Sequence, residues 1–121
     1  MTTVLTPLDD VALKERAAQF GLPPFDLRKQ TRPLTPDPLF GEEMIWRLRA
    51  VPIFVGQHHV AFAMDDPSWV DDVDTLHHLF GKKVVHIRVA DPAVLEAFMT
   101  QHYIAGKARG QQLRERAKQM L

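Results

Sequence analysis

The stretch Val60-Ala61-Phe62-Ala63-Met64-Asp65-Asp66-Pro67 constrains the fold of this chain most, because an apolar strand runs into a helix-start signal with no loop between them. Asp66 is placed to cap a helix with its carboxylate oxygen, and Pro67 suits a first-turn position whose N–H would have no helical acceptor. Trp69, Val73, Leu76, Leu79 and Phe80 then recur at spacings of three and four, the period of one helix face, and Gly81 stands where a left-handed terminator fits. Lys83 to Val89 is β-branched and rich in Val and Ile, which predicts a strand. Residues 60–89 therefore read as one strand–helix–strand unit.

The segments around that unit carry their own punctuation. Asp9 or Asp10 caps a first helix whose Leu13, Ala17 and Phe20 share a face, and Gly21 ends it. Leu22 to Leu27 is extended, but Pro23 and Pro24 each lack a ladder donor, so any strand there starts late and lies at an edge. Residues 28–36 read as a loop. Asp37-Pro38 predicts a second helix start, with Phe40, Met44 and Leu48 aligned and Gly41 weakening its first turn by about 1 kcal/mol relative to alanine. Val51 to Val55 and His59 to Met64 flank a short connection and predict an antiparallel hairpin. Asp91-Pro92 opens a last helix with Leu95, Phe98, Met99 and Tyr103 on its buried side.

The expected architecture is an α/β (α+β) domain. Its small mixed sheet of three to four strands is a hairpin over residues 51–64, a right-handed crossover through a helix at 67–80, and a strand at 84–89 parallel to 60–64, with helices covering it. The domain is assigned residues 1–103. Residues 104–121 are expected to form a basic helical tail or linker, since Gly106 and Gly110 interrupt the pattern before a second apolar stripe of Leu113, Ala117, Met120 and Leu121.

With 121 residues, 45% hydrophobic and 25% charged, the chain fits one soluble globular domain. No run approaches the ~20 apolar residues of a membrane span, and Met1 to Asp10 lacks a signal peptide's basic and apolar regions. A cytoplasmic location is expected, peripheral to the inner membrane only through a partner. The formal charge of zero conceals an asymmetry: residues 1–103 carry ten Lys/Arg against fourteen Asp/Glu, and residues 104–121 carry five against one. Arg109, Arg114 and Lys118 in the tail, with Trp46 and Trp69 in the body, are the candidate partner-binding residues. No aromatic residue follows Tyr103, which leaves base stacking without a platform there and argues against nucleic acid.

Chemistry-bearing groups are sparse. No Gly-x-x-x-x-Gly-Lys-Ser/Thr loop occurs, and zero cysteines exclude thiolate sites and disulfides. Ser68 is the one serine and lacks a glycine-framed elbow. Adjacent His77 and His78 point about 100° apart on a helix and cannot readily chelate one ion, leaving Asp74 with His78 as the single local pair. Asp65, Asp66, Asp71, Asp72 and Asp74 gather at a helix N-terminus, where the macrodipole favours negative charge. The expectation is no catalytic residue, no metal and no firm cofactor.

Phe20-Gly21-Leu22-Pro23 with Asp26-Leu27, Glu42-Glu43-Met44 through Arg47, Arg49 and Pro52, then Ala63-Met64-Asp65-Asp66-Pro67, Asp74, Leu76, Gly81 and Val84 follow one another in a familiar order. In order and spacing they resemble the N-terminal domain of type II secretion and type IV pilus assembly ATPases, over roughly residues 12–103. The resemblance implies a regulatory and docking module without the ATPase engine, either a fragment or a stand-alone copy. Some members bind cyclic di-GMP through two successive motifs; others bind the cytoplasmic part of an inner-membrane assembly-platform protein. Only the second nucleotide motif has a counterpart here, a half-site of Phe20, Gly21, Leu22, Arg47 and Arg49, and Ile45-Trp46 stands where Ala-Arg is common. Docking to a partner protein, an assembly-platform domain or a motor ATPase, is therefore the favoured expectation. Cyclic di-GMP binding is the alternative, with a homodimer able to supply the absent half.

Overall fold

The computed structural model describes residues 8–30, 32–34 and 40–119. Its first helix, α1 (Asp10–Gln19), is capped by the Asp9 carboxylate, which accepts from the Ala12 N–H at 2.7 Å. Gly21, at φ +67°, closes it. The Leu22 N–H returns to the Ala17 carbonyl and the Gly21 N–H to that of Ala18, a Schellman termination that only a residue tolerant of positive φ forms without strain. Pro23 to Phe25 then runs beside the end of β3 (Val84–Val89), where the Val89 N–H donates to the Pro23 carbonyl and the Phe25 N–H to that of Val89, both at 2.9 Å. Asp26 caps a 3₁₀ turn over Leu27–Lys29.

The sheet is three-stranded in the order β1-β2-β3, with β1 (Ala50–Val55) and β2 (His59–Met64) forming the antiparallel hairpin. β3 lies parallel to β2 in unbroken register from His59 opposite Val84 to Met64 opposite Val89, so the expected hairpin and crossover are both present. Along β3 the exposed Val84, His86 and Arg88 alternate with the more buried Val85, Ile87 and Val89, as a strand covered on one face requires.

The crossover helix α3 (Val70–Leu79) begins later than the sequence suggests. Asp66 does not cap it: the carboxylate turns back onto the Ser68 N–H and hydroxyl, closing a local turn, and Trp69 is the N-cap without a side-chain bond. Short acceptor side chains often take such i to i+2 bonds in preference to a helix. Nor is Gly81 the left-handed terminator, because among the described residues Gly21 is the one glycine with positive φ.

α2 (Glu42–Leu48) starts after an extended Gly41 at φ −82° and ψ −176°. Phe40 therefore precedes the helix rather than sharing its face, and the expected Asp37-Pro38 start lies outside the described residues. Phe40 instead meets Phe62 and Phe80, with ring centroids 5.1 and 5.9 Å away. α4 (Pro92–His102) has the anticipated Asp91 cap and Pro92 at its first position, and it buries Leu95, Phe98 and Met99.

After a 3₁₀ turn at Ile104–Gly106, α5 (Lys107–Gln119) lies directly along α2. Gly106 and Gly110, which the sequence suggested as interruptions, are where the backbones touch. A Cβ on Gly110 would sit 2.5 Å from the Trp46 Cβ and 2.6 Å from the Glu43 carbonyl oxygen; one on Gly106 would meet Glu42 backbone at 2.3 Å.

Candidate functional site

The residues of the nucleotide half-site perform structural work in this fold. Gly21 and Leu22 make the Schellman turn, and the Arg16 guanidinium lies 5.5 Å from the Phe20 ring centre while its Nη2 donates to the Asp65 carbonyl at 2.7 Å. Arg49, the C-cap of α2, is held in the left-handed region at φ 48° and ψ 49°. Its guanidinium bridges two carboxylates, Asp65 at 3.0 Å and Glu96 at 2.8 Å. Burial opposes the charge, and those two carboxylates outweigh it, holding the guanidinium above its ordinary value. Arg47 is half-buried, and its carbonyl accepts from Arg114 at 2.7 Å.

The partner-binding candidates separate in the same way. Trp46 is 0% exposed, with its indole N–H donating to the Tyr103 carbonyl at 2.7 Å, so it is a core residue rather than a surface anchor. Arg114 turns inward, pairing with Asp72 at 2.7 Å where both side chains are nearly covered. Burial pushes the Asp72 carboxyl up, and the Arg114 hydrogen bond offsets only part of that. Lys118 lies 5.2 Å from the half-buried Trp69 ring centre, fastening the end of α5 to the start of α3. Arg109 is exposed and touches only Gln112 on its own helix among the described residues. Nine positions at about 100° each place Arg109 and Lys118 on opposite sides of α5. Arg109 instead shares its side with the exposed Arg116.

A concavity of about 370 Å³ lies on the open face of the sheet between Phe25, Ile53, Phe54, His59, Ala61, His86 and Arg88. Sequence reasoning passed over it, because its members come from three strands and a loop and share no local spacing. The register sets Phe54, Ala61 and His86 in one row across the sheet. His59 Nδ1 lies 2.9 Å from His86 Nε2, a pairing across strands that neither histidine's neighbours announce. Asp74, His77 and His78 are exposed, and among the described residues no group of three or more His, Cys, Asp or Glu is disposed to hold a metal ion. No helix among them is long and apolar enough to cross a membrane.

A solved structure of MshE with cyclic di-GMP is similar to this fold, at a TM-score of 0.61 and 25% identity, over 79% of this chain and 70% of that one. No curated protein matches the chain. The MshEN domain family matches residues 20–109, from the helix-ending turn at Phe20 through the sheet to the first turn of α5. That span is most of the molecule, and the chain belongs to the MshEN domain family, the N-terminal domain of MshE-type ATPases.

Proposed function

We propose that this domain is a non-catalytic docking and regulatory module of a secretion or type IV pilus-like machine, holding a partner protein such as an assembly-platform cytoplasmic domain or a motor ATPase. The observation that carries this reading is the internal bridging of Arg49 to Asp65 and Glu96. An arginine so paired has no free face for a dianionic nucleotide, and taking it away would leave two carboxylates unpaired. The docking surface is the outer side of α5, where the exposed Arg109 and Arg116 share a side once Arg114 and Lys118 have turned toward α3, with the exposed Ile104 in the turn that precedes the helix. Two arginines that make no ion pair among the described residues, on a helix preceded by an exposed aliphatic side chain, suit an acidic partner surface.

The test is binding of the purified domain to the cytoplasmic segment of an assembly-platform protein from the same organism, by interferometry at low and high salt. Arg109→Glu with Arg116→Glu should weaken binding at least about tenfold at low salt, with the difference shrinking as salt rises. Unchanged binding by the double variant would remove α5 from the interface.

Cyclic di-GMP binding is the second reading, favoured by the similarity to MshE solved with that ligand. Arg47, which lines a small crevice with Trp69 and Thr75, is the half-site arginine left to contact it.

A further inference from the structure

The concavity on the open face of the sheet has the size and lining of a small-molecule site. Its volume of about 370 Å³ falls in the range usual for ligand pockets, and apolar walls with a few convergent polar groups are their usual composition. Its shape follows from the register. Phe54 of β1, Ala61 of β2 and His86 of β3 lie side by side, so a methyl group forms the floor between two flat rings. Strands ~4.8 Å apart set the backbones of the outer two at about 10 Å, and the His86 ring stacks on His59 with centroids 5.1 Å apart to form one wall.

Charge selects what that ring carries. Arg88 sits one step along the same face of β3 from His86, opposite Ala63, and neither it nor the two histidines faces a carboxylate in the lining. Among the described residues Arg88 makes no ion pair, unlike Arg28, Arg49 and Arg114. A fork of guanidinium donors held beside an apolar slot matches a planar or tetrahedral oxyanion. His59 and His86 bond to each other through Nδ1 and Nε2, and the neutral pair keeps one further ring N–H to donate at the same edge. None of the residues of the half-site around Phe20 and Arg49 lines this cavity.

We propose that the open sheet face binds a small aromatic anion, with its flat ring over Ala61 between Phe54 and His86 and its carboxylate or phosphate against Arg88. This site is separate from the α5 docking surface and does not depend on it.

Amide NMR titration of the intact chain tests the proposal with phenyl phosphate and benzoate as probes, and with inorganic phosphate and benzyl alcohol carrying the charge or the ring alone. Saturable shifts at Phe54, Ala61, His86 and Arg88 are expected with at least one probe. Its affinity should exceed that of either comparator at least about tenfold, and the tighter probe identifies the oxyanion. Arg88→Gln, a surface change, and Ala61→Leu, which fills the floor, should each weaken binding at least about tenfold, whereas Arg109→Gln should not. Absence of saturable shifts up to about 10 mM, shifts at another face, or equal binding by Arg88→Gln and Ala61→Leu would overturn the proposal.

Discussion

Arg49 shows how a residue that invites a ligand reading can instead be part of the frame. It occupies a left-handed position that costs a side-chain-bearing residue roughly 1 kcal/mol, and two carboxylates on β2's end and α4 keep it there. Arg49→Ala keeps the strained backbone and strands Asp65 and Glu96, so it should lower unfolding free energy by about 2–3 kcal/mol in urea melts. Arg49→Gly also loses both pairs but relieves the backbone, and should be about 1 kcal/mol less damaging than alanine. Tyr103 offers a pH reading, since it is the chain's single tyrosine. Burial pushes its phenol up to about 12, and its hydroxyl donates to the Leu34 carbonyl at 2.9 Å. A raised folded value means stability fully present below pH 10, the phenol's ordinary value, and lost as pH climbs through about 12. Ultraviolet titration should show no phenolate near pH 10 in the folded chain and a normal transition in urea; ordinary titration while folded would contradict the burial.

At the scale of elements, α5 and α2 meet through glycine rather than through interlocking side chains. In a free helix Gly110→Ala would be favourable by about 1 kcal/mol, but here the new methyl would collide with Trp46 and Glu43. Overpacking of that kind costs about 1–3 kcal/mol, so the variant should melt earlier and its tryptophan emission should shift red as Trp46 gains water. The sequence announced elements whose signals are local. The Asp91-Pro92 cap, the Gly21 stop, the hairpin and the parallel β3 each follow from adjacent residues or from a period. It misplaced those whose outcome depends on competition or contact. Asp66 spends its carboxylate on the Ser68 N–H and hydroxyl, and Gly106 and Gly110 look like helix breakers until α2 is laid against them. The row Phe54, Ala61 and His86 was invisible for a related reason, because it exists only once the strands are in register.

For the whole molecule, the consequence is that residues 104–119 are packed against the body rather than standing apart as a linker. Deleting residues 105–121 would uncover Trp46 and Asp72 and should lower the melting temperature markedly. Asp72 adds a signature to that interface, since burial and the Arg114 contact leave its folded pKa above 3.8. A raised carboxyl stabilises below its unfolded value and loses that contribution as pH rises through the folded one, so the stability of the native chain relative to Asp72→Asn should fall as pH rises above 3.8 in urea melts. At this scale the half-site Arg49 is engaged internally, in a domain similar to MshE, which is solved with cyclic di-GMP. Calorimetric titration of cyclic di-GMP into the intact chain tests that account most directly. No binding tighter than ~100 μM, about 5.5 kcal/mol, is expected. Saturable micromolar heat that disappears in Arg47→Ala would contradict it and make the domain a nucleotide sensor.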